Sequence, residues 1–222
     1  LEFEARLNAH RLDSTGSTLP DSVVMILCVG PAEQTCTRIC CTSAMKNALV
    51  LKELNPNARV VILYKDIRTY GFHEQLYTQA RRQGVLFIRF DAASRPEISG
   101  NNNPDHLLKV QVWDPHLQRS ITLQPDVLVL SMPAVPQSDA HELAARIKVP
   151  TDACGFLLEA HVKLRPVDFS SDGIFMAGMA HYPKSLDESL IQAQAATARA
   201  GRILSRQTIT AGGRVAIVDP AL

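Results

Sequence analysis

Four short apolar runs rich in β-branched residues constrain the fold of this chain more than any other feature. SVVMILCVG (Ser22 to Gly30), ARVVILYKD (Ala58 to Asp66), VLFIRFD (Val85 to Asp91) and DVLVLSMP (Asp126 to Pro133) are continuous rather than alternating. That is the pattern of strands covered on both faces of a parallel sheet. Between the first two runs, apolar residues recur at helical spacing through Ile39, Ala44, Ala48, Leu51 and Leu54, and the segment Thr37 to Leu54 closes on Asn55-Pro56. Phe72 to Arg82 supplies a second helix before the third run. The order β-α-β-α-β predicts an α/β architecture with a doubly wound, mostly parallel sheet and right-handed crossovers.

The rest of the chain departs from that rhythm. A Pro-, Asn- and Ser-rich loop around Arg95 to Asp105 precedes LLKVQVWD and RSITLQ, two alternating stretches separated by Pro115-His116 that read as an antiparallel hairpin or meander. Beyond Pro150 the texture changes: FLLEAHVKL and GIFMAGMA are strand candidates and the Ala-rich Leu186 to Leu204 is a helix. A domain boundary is expected near Lys148 to Asp152. The opening LEFEARLNAH is helix-like and lacks an initiator Met, so the chain reads as an excerpt of a longer protein.

Composition excludes several classes of function. Lys and Arg number 23 against 22 Asp and Glu, a formal charge of +1, which leaves no electrostatic footprint for nucleic acid or an anionic membrane. No apolar run approaches the roughly 20 residues of a membrane-spanning helix, and the start does not read as a signal peptide. A hydrophobic fraction of 46% is ample for a packed core.

Four of the 5 cysteines, Cys28, Cys36, Cys40 and Cys41, fall in one stretch with the spacing C-x7-C-x3-C-C. Four thiols gathered in this way suit a metal site in a reducing cytoplasm better than a secreted disulfide framework. The first sits at the carboxyl end of the first strand and the others at the start of the following helix. In a doubly wound sheet this is the ligand crevice, where a helix N-terminus favours negative charge and thiolates. A dinucleotide site would carry G-x-G-x-x-G at this turn, but CVGPAEQTCTRICC offers only Gly30. The adjacent pair rules out a zinc ribbon of paired C-x-x-C knuckles, yet spacing alone does not separate zinc from iron-sulfur, and it matches neither common ferredoxin pattern. The bland reading of a cysteine is a buried structural thiol, and this is the one assigned to Cys154. A thiol-disulfide enzyme is disfavoured because Cys40-Cys41 would make a strained redox pair.

With these residues in view, the chain resembles the A subunit of heterodisulfide reductase and its relatives in sulfate- and sulfur-metabolising microbes. The carrying segments are LCVGPAEQTCTRICCTSAMKNALVLKELNP, VVILYKDIRTYGFHEQLYTQARRQGVLFIRFD and GFLLEAHVKLRPVDFSSDGIFMAGMAHYPKSLDESLIQAQAATARAGRILS. The resemblance implies a thioredoxin-reductase-like flavoprotein, in which an FAD domain is interrupted by an α/β insert that corresponds to an NAD(P)H domain. Here the insert would carry a [4Fe-4S] cluster on Cys28, Cys36, Cys40 and Cys41, although the gap between Cys28 and Cys36 is shorter than the family's. Residues 1–20 would connect from an absent FAD half, 21–149 would form the insert, and 150–222 would be the C-terminal part of the FAD domain.

The same resemblance makes GIFMAGMAHYPKSLDESLIQAQAATARA the last FAD-contacting segment, through Gly178, Met179, Ala180, His181, Lys184, Gln192 and Ala193. Met179 stands where relatives carry Asp, leaving His181 and Lys184 as the candidate polar contacts. Lys163 and Arg165 read either as flavin or phosphate partners or as a solvated strand end. Asp66 and Arg68 superficially suggest a ribose site, but without the glycine fingerprint Arg68, Tyr70, Phe72 and Tyr77 read instead as a docking or cluster-shielding surface. The family's amino-terminal G-x-G-x-x-G and its ferredoxin-type cysteines are not in these residues. The expected role is electron transfer within a flavin- and iron-sulfur-dependent oxidoreductase acting on heterodisulfides or related sulfur compounds, and the family also implies electron bifurcation. Its partners would be other subunits of that type and electron carriers, with dimerisation through the FAD half. The competing class is a non-catalytic module stabilised by structural zinc.

Overall fold

The computed structural model describes residues 2–13, 19–30, 36–100 and 108–208, without the side chains of 11–13. The chain forms two compact units, 1–135 and 136–222.

In the first unit, β1 (Ser22–Ile26) pairs in parallel with β2 (Arg59–Tyr64) and with β7 (Val127–Leu130), and β2 pairs in parallel with β3 (Leu86–Arg89). The order is β3-β2-β1-β7. Helix α1 (Glu2–Asp13) precedes β1, α2 (Ile39–Leu54) links β1 to β2, and a 3-10 turn (Gly71–His73) leads into α3 (Glu74–Arg82). The α/β architecture with a parallel sheet is therefore as expected.

Burial explains why β1 is apolar throughout. Val23, Met25 and Leu27 pack on one face with Cys41, Ala44, Met45, Ala48 and Leu51 of α2. Val24 and Ile26 pack on the other with Val110 and Val112. Those valines belong to a second, antiparallel sheet of β4 (Glu97–Ser99), β5 (Lys109–Asp114) and β6 (Arg119–Leu123), in which β5 alternates exposed and buried residues. The expected hairpin is thus β5-β6, and β4 adds a short third strand on which every residue is exposed. Asp126 ties the start of β7 to that of β1, its carboxylate accepting from the Asp21 and Ser22 amides at 3.0 and 2.8 Å. The expected loop is described up to Gly100; its remainder, 101–105, lies outside the described residues.

The second unit holds α4 (Ala140–Ile147), a 3-10 turn (Gly178–Ala180) and α5 (Leu186–Leu204). The units part at Val135/Pro136, earlier than the boundary expected near Lys148 to Asp152. The reason is packing: Ala144, Ile147 and Val149 join Leu157, Phe169, Ile174 and Met176 in one core rather than covering the sheet.

FLLEAHVKL and GIFMAGMA do not form strands. They make only isolated bridges, Thr151 to Leu157, His161 to Arg165 and Asp168 to Phe175, because no neighbouring strand among the described residues satisfies their backbone groups. α5 begins with a capping box, Ser185 and Glu188 each bonding the other's backbone. No helix among the described residues is long and apolar enough to cross a membrane.

Candidate functional site

The cysteines meet where the parallel topology brings strand ends together. β1 and β2 run side by side in register, so the chain leaving β1 at Leu27 faces the chain leaving β2 at Lys65. Cys28 lies just past the strand in a left-handed conformation, φ +57, and Arg38 repeats that geometry at φ +62 where the chain enters α2. Non-glycine residues pay about 1–2 kcal/mol for this region, so two of them bracketing one loop mark a locally over-determined turn. Arg38 also delays the helix: α2 begins at Ile39, so Cys36 precedes it and only Cys40 and Cys41 lie in its first turn. The expectation that three cysteines open the helix is corrected accordingly. Residues 31–35, between the first two cysteines, lie outside the described residues.

One backbone carbonyl gathers two of the sulfurs: Cys28 Sγ and Cys41 Sγ each lie 3.8 Å from the Asp66 carbonyl oxygen. Cys41 is fully buried, and its sulfur also accepts the Arg68 amide at 3.5 Å. Cys36 accepts the Arg38 amide at 3.4 Å. A hydrogen bond from the Cys41 thiol lowers the Cys40 pKa to about 6, against burial that raises it, with help from Thr37 and local amides. The same bond, together with burial, pushes Cys41 well above the usual thiol range. Burial raises Cys36 too, and the charges of Cys40 and Cys28 add to this. Cys28, Cys36 and Cys40 line a cleft with Gly30, Thr37, Lys65, Asp66, Arg68, Arg95 and Ser131.

This donor set fits a group held by four thiolates. Cys36 and Cys41 each feel the charges of Cys40 and Cys28, Cys40 is biased to the thiolate, and two of the sulfurs accept backbone amides. Among the described residues, no group of three or more His, Cys, Asp or Glu side chains is placed to hold a metal ion. In a cubane each thiolate binds a different iron, so its ligands are not gathered on one centre.

Sequence reasoning did not find the Asp66 carbonyl and the Arg68 amide as partners of the sulfurs, nor Lys65 and Arg95 as walls of the cleft. The available signal was positional: in a parallel sheet, residues just past the ends of neighbouring strands share one crevice. Of the expected aromatic surface, Tyr70 stacks beneath the Arg38 guanidinium at 5.4 Å and Phe72 is 89% exposed, while Tyr77 packs edge-on against Phe87 at 4.9 Å.

The second unit places the expected flavin residues differently from the cysteines. Gly178 (φ +71) opens the 3-10 turn, Met179 and Ala180 are exposed, and Gln192 and Ala193 are half-buried on α5. His181 and Lys184 are buried and have internal partners. Lys184 Nζ donates to the Gly178 carbonyl at 2.8 Å and to Gln192 Oε1 at 2.6 Å. With Oε1 so engaged, the Gln192 amide nitrogen faces His181 Nδ1 at 2.9 Å and must donate to it. That leaves the His181 proton on Nε2, where it donates to Glu159 at 2.7 Å. The expectation that His181 and Lys184 reach out as polar contacts is thus revised: within the unit they position the turn. Nearby, Asp168 is buried and clasped by Arg199 through contacts of 2.7 to 3.1 Å. Arg165 bonds the Phe169 carbonyl and Asp172, and Lys163 is exposed. Cys154 is half-buried.

No protein-family model matches the chain. It is 34% identical over 95% of its length to the A subunit of the ferredoxin:CoB-CoM heterodisulfide reductase of Methanosarcina acetivorans, covering 26% of that protein. It is 34% identical over 99% of its length to the A subunit of the H(2):CoB-CoM heterodisulfide,ferredoxin reductase of Methanothermobacter marburgensis, covering 34% of it. Against the iron-sulfur A subunit of the CoB-CoM heterodisulfide reductase of Methanocaldococcus jannaschii the identity is 35% over 88% of this chain and 31% of that one. Among solved structures, the thioredoxin reductase of Lactococcus lactis aligns with a TM-score of 0.52 at 18% identity, over 84% of this chain and 54% of that one, a likeness of fold. Over nearly its whole length the chain matches part of the heterodisulfide reductase A subunits, and it spans about a quarter to a third of the curated relatives.

Proposed function

We propose that this chain is the cluster-bearing, electron-transfer part of a flavin- and iron-sulfur-dependent oxidoreductase acting on heterodisulfides or related sulfur compounds. The observation that carries the reading is that Cys28, Cys36 and Cys40 line the crevice past the strand ends, while buried Cys41 shares the Asp66 carbonyl with Cys28. A cluster bound there passes single electrons, and FAD exchanges pairs.

The chain's own residues do the rest. The four thiolates hold the group, the Arg38 and Arg68 amides donate to two of the sulfurs, and the apolar packing of Cys41 against α2 and β1 keeps water from the inner side of the site. In the second unit, the Gly178–Ala180 turn would offer its backbone to the flavin, while Lys184, Gln192 and His181 hold that turn in place. No acid or base is required of these residues. The rest of the polypeptide would complete the FAD site, with other subunits and electron carriers as partners and a cytoplasmic setting consistent with four free thiols.

The test is anaerobic purification of the chain, with iron, sulfide, zinc and flavin measured on one sample beside its Cys40→Ala variant. About four iron and four sulfide per chain, lost in the variant, are expected for a cubane on four thiolates. Zinc without visible colour would make the site structural, and a Cys40→Ala protein with full iron and sulfide would end the ligand assignment.

A further inference from the structure

The cleft beside the cysteines carries three cations, Lys65, Arg68 and Arg95, and they are not equivalent. Arg95 donates to the Gly30 carbonyl at 2.7 Å and bonds no sulfur in the described structure, and Lys65 lies exposed at the rim. Arg68 is fixed at both its backbone and its side chain. Its amide donates to the Cys41 sulfur at 3.5 Å, and its guanidinium Nε donates to Asp66 Oδ2 at 3.0 Å. Its neighbour Thr69 is buried and its hydroxyl donates to Glu74 at 2.8 Å, so the backbone cannot swing away without breaking that contact. The result is a permanent positive charge tethered at the cleft by Asp66, on a side chain that is still half exposed.

We infer that Arg68 sets the reduction potential of the group bound by the four cysteines, through a guanidinium that Asp66 and the Cys41 contact hold in the cleft. The inference rests on the cluster reading above and concerns the potential, not the binding, of the group. Adding one electron makes the bound group one unit more negative, with no bond formed or broken, and a fixed cation stabilises the more negative state. Arg68 therefore raises the potential. Its side chain is 52% exposed, so its field is partly screened by water and salt. After the hydrogen bond to Asp66, the fields of Cys36, Asp66 and Cys41 act on the guanidinium, which agrees with the geometry.

The experiment is an anaerobic redox titration of the full chain, followed by EPR, for wild type, Arg68→Gln and Arg68→Lys, with iron and sulfide measured on each sample. At one fixed solution potential, Arg68→Gln should show a several-fold lower ratio of reduced to oxidised centre than wild type. A tenfold change would correspond to about 59 mV for a one-electron couple. Arg68→Lys, which keeps the charge, should stay close to wild type. The gap between wild type and Arg68→Gln should narrow from about 0.1 M to 1 M salt, as the screening length falls from about 10 to 3 Å.

A fully loaded Arg68→Gln with an unchanged ratio overturns the inference. So does Arg68→Lys shifting as far as Arg68→Gln, since the effect would then come from packing rather than charge. Loss of the group in Arg68→Gln alone would make Arg68 a residue that holds the site and would also overturn it. A wild-type chain that takes up no iron and sulfide would instead sink the underlying cluster reading.

Discussion

The sharpest consequence of the cysteine geometry concerns the metal-free protein. There the Cys41 thiol donates to Cys40 and lowers its pKa from 9.0 to about 6. Replacing Cys41 with Ala removes the largest cause of that shift, leaving Thr37 and nearby amides against burial, so the Cys40 pKa must rise. At pH 6 a thiol of pKa about 6 is half thiolate, whereas an ordinary one is ionised in about one molecule per thousand, roughly a 500-fold difference in reactive species. A less basic thiolate is also a weaker nucleophile: with a Brønsted slope of about 0.4–0.5 over about three units it loses roughly 16- to 30-fold.

The net expectation is that Cys40 attacks a small disulfide reagent roughly 15- to 30-fold faster than an ordinary thiol at pH 6, and correspondingly slower above about pH 10, where both are ionised. The assay is the pH profile of labelling in reduced, metal-stripped protein, read at Cys40 by peptide mass spectrometry. Its rate should climb through about pH 6 and then level off, and in Cys41→Ala the climb should move toward alkaline pH. A Cys40 profile that stays near 6 in Cys41→Ala would refute the hydrogen bond as the cause, and a wild-type profile in the ordinary thiol range would refute the geometry itself.

Three further outcomes follow from packing and backbone. Leu51 is fully buried on α2, so Leu51→Ala should cost about 2–5 kcal/mol, measured as faster hydrogen exchange in β1 and β2, whereas exposed Leu190→Ala should change stability by no more than about 0.5 kcal/mol; equal effects would show that α2 does not pack as described. Gly178 is left-handed with nothing within 4 Å of a Cβ built on it, so Gly178→Ala should destabilise by the backbone strain alone, about 1–2 kcal/mol by thermal unfolding, and a gain would contradict the turn. Asp168→Asn should weaken the Arg199 clasp and speed hydrogen exchange in the C-terminal turns of α5 more than in its capped first turn, so a uniform or absent change would count against the pair as a tether.

How far the sequence foretold this molecule varied with how local the cause was. The strands of the parallel sheet were legible because burial on both faces demands uninterrupted apolar runs, as Val23 to Leu27 show. β5 was legible for the opposite reason, with Val110 and Val112 alternating against solvent. β4 was not, since an all-exposed strand leaves no hydrophobic signal. FLLEAHVKL and GIFMAGMA misled because Leu157 and Met176 are buried by packing with Phe169, a tertiary fact that imitates strand patterning. The cysteines announced a site by crowding, but their partners did not. No spacing rule links Cys41 to Arg68, and only the β1-β2 register brings them together. His181 and Lys184 looked available in sequence, and only the structure shows the one amide, Gln192, that engages both.

The same register explains why a crevice built for a dinucleotide phosphate can hold thiolates instead. What a strand-to-helix turn offers is a concentration of backbone N–H groups and the positive end of a helix, and neither distinguishes phosphate oxygen from thiolate sulfur. Glycines in a phosphate turn let the backbone approach the ligand closely. Here that approach is replaced by side chains that reach inward, and the backbone needs only to aim them. Cys28 and Arg38 do so in left-handed conformations that cost about 1–2 kcal/mol each. The fold sustains this strain because β1 on one side and the inner face of α2 on the other are buried in one core. Three sulfurs are thereby tied to fixed structure: Cys28 and Cys41 through the Asp66 carbonyl, and Cys40 through its neighbour. Among the described residues Cys36 accepts only the Arg38 amide, on the turn ahead of α2, which makes it the thiol of the four tied least to the core.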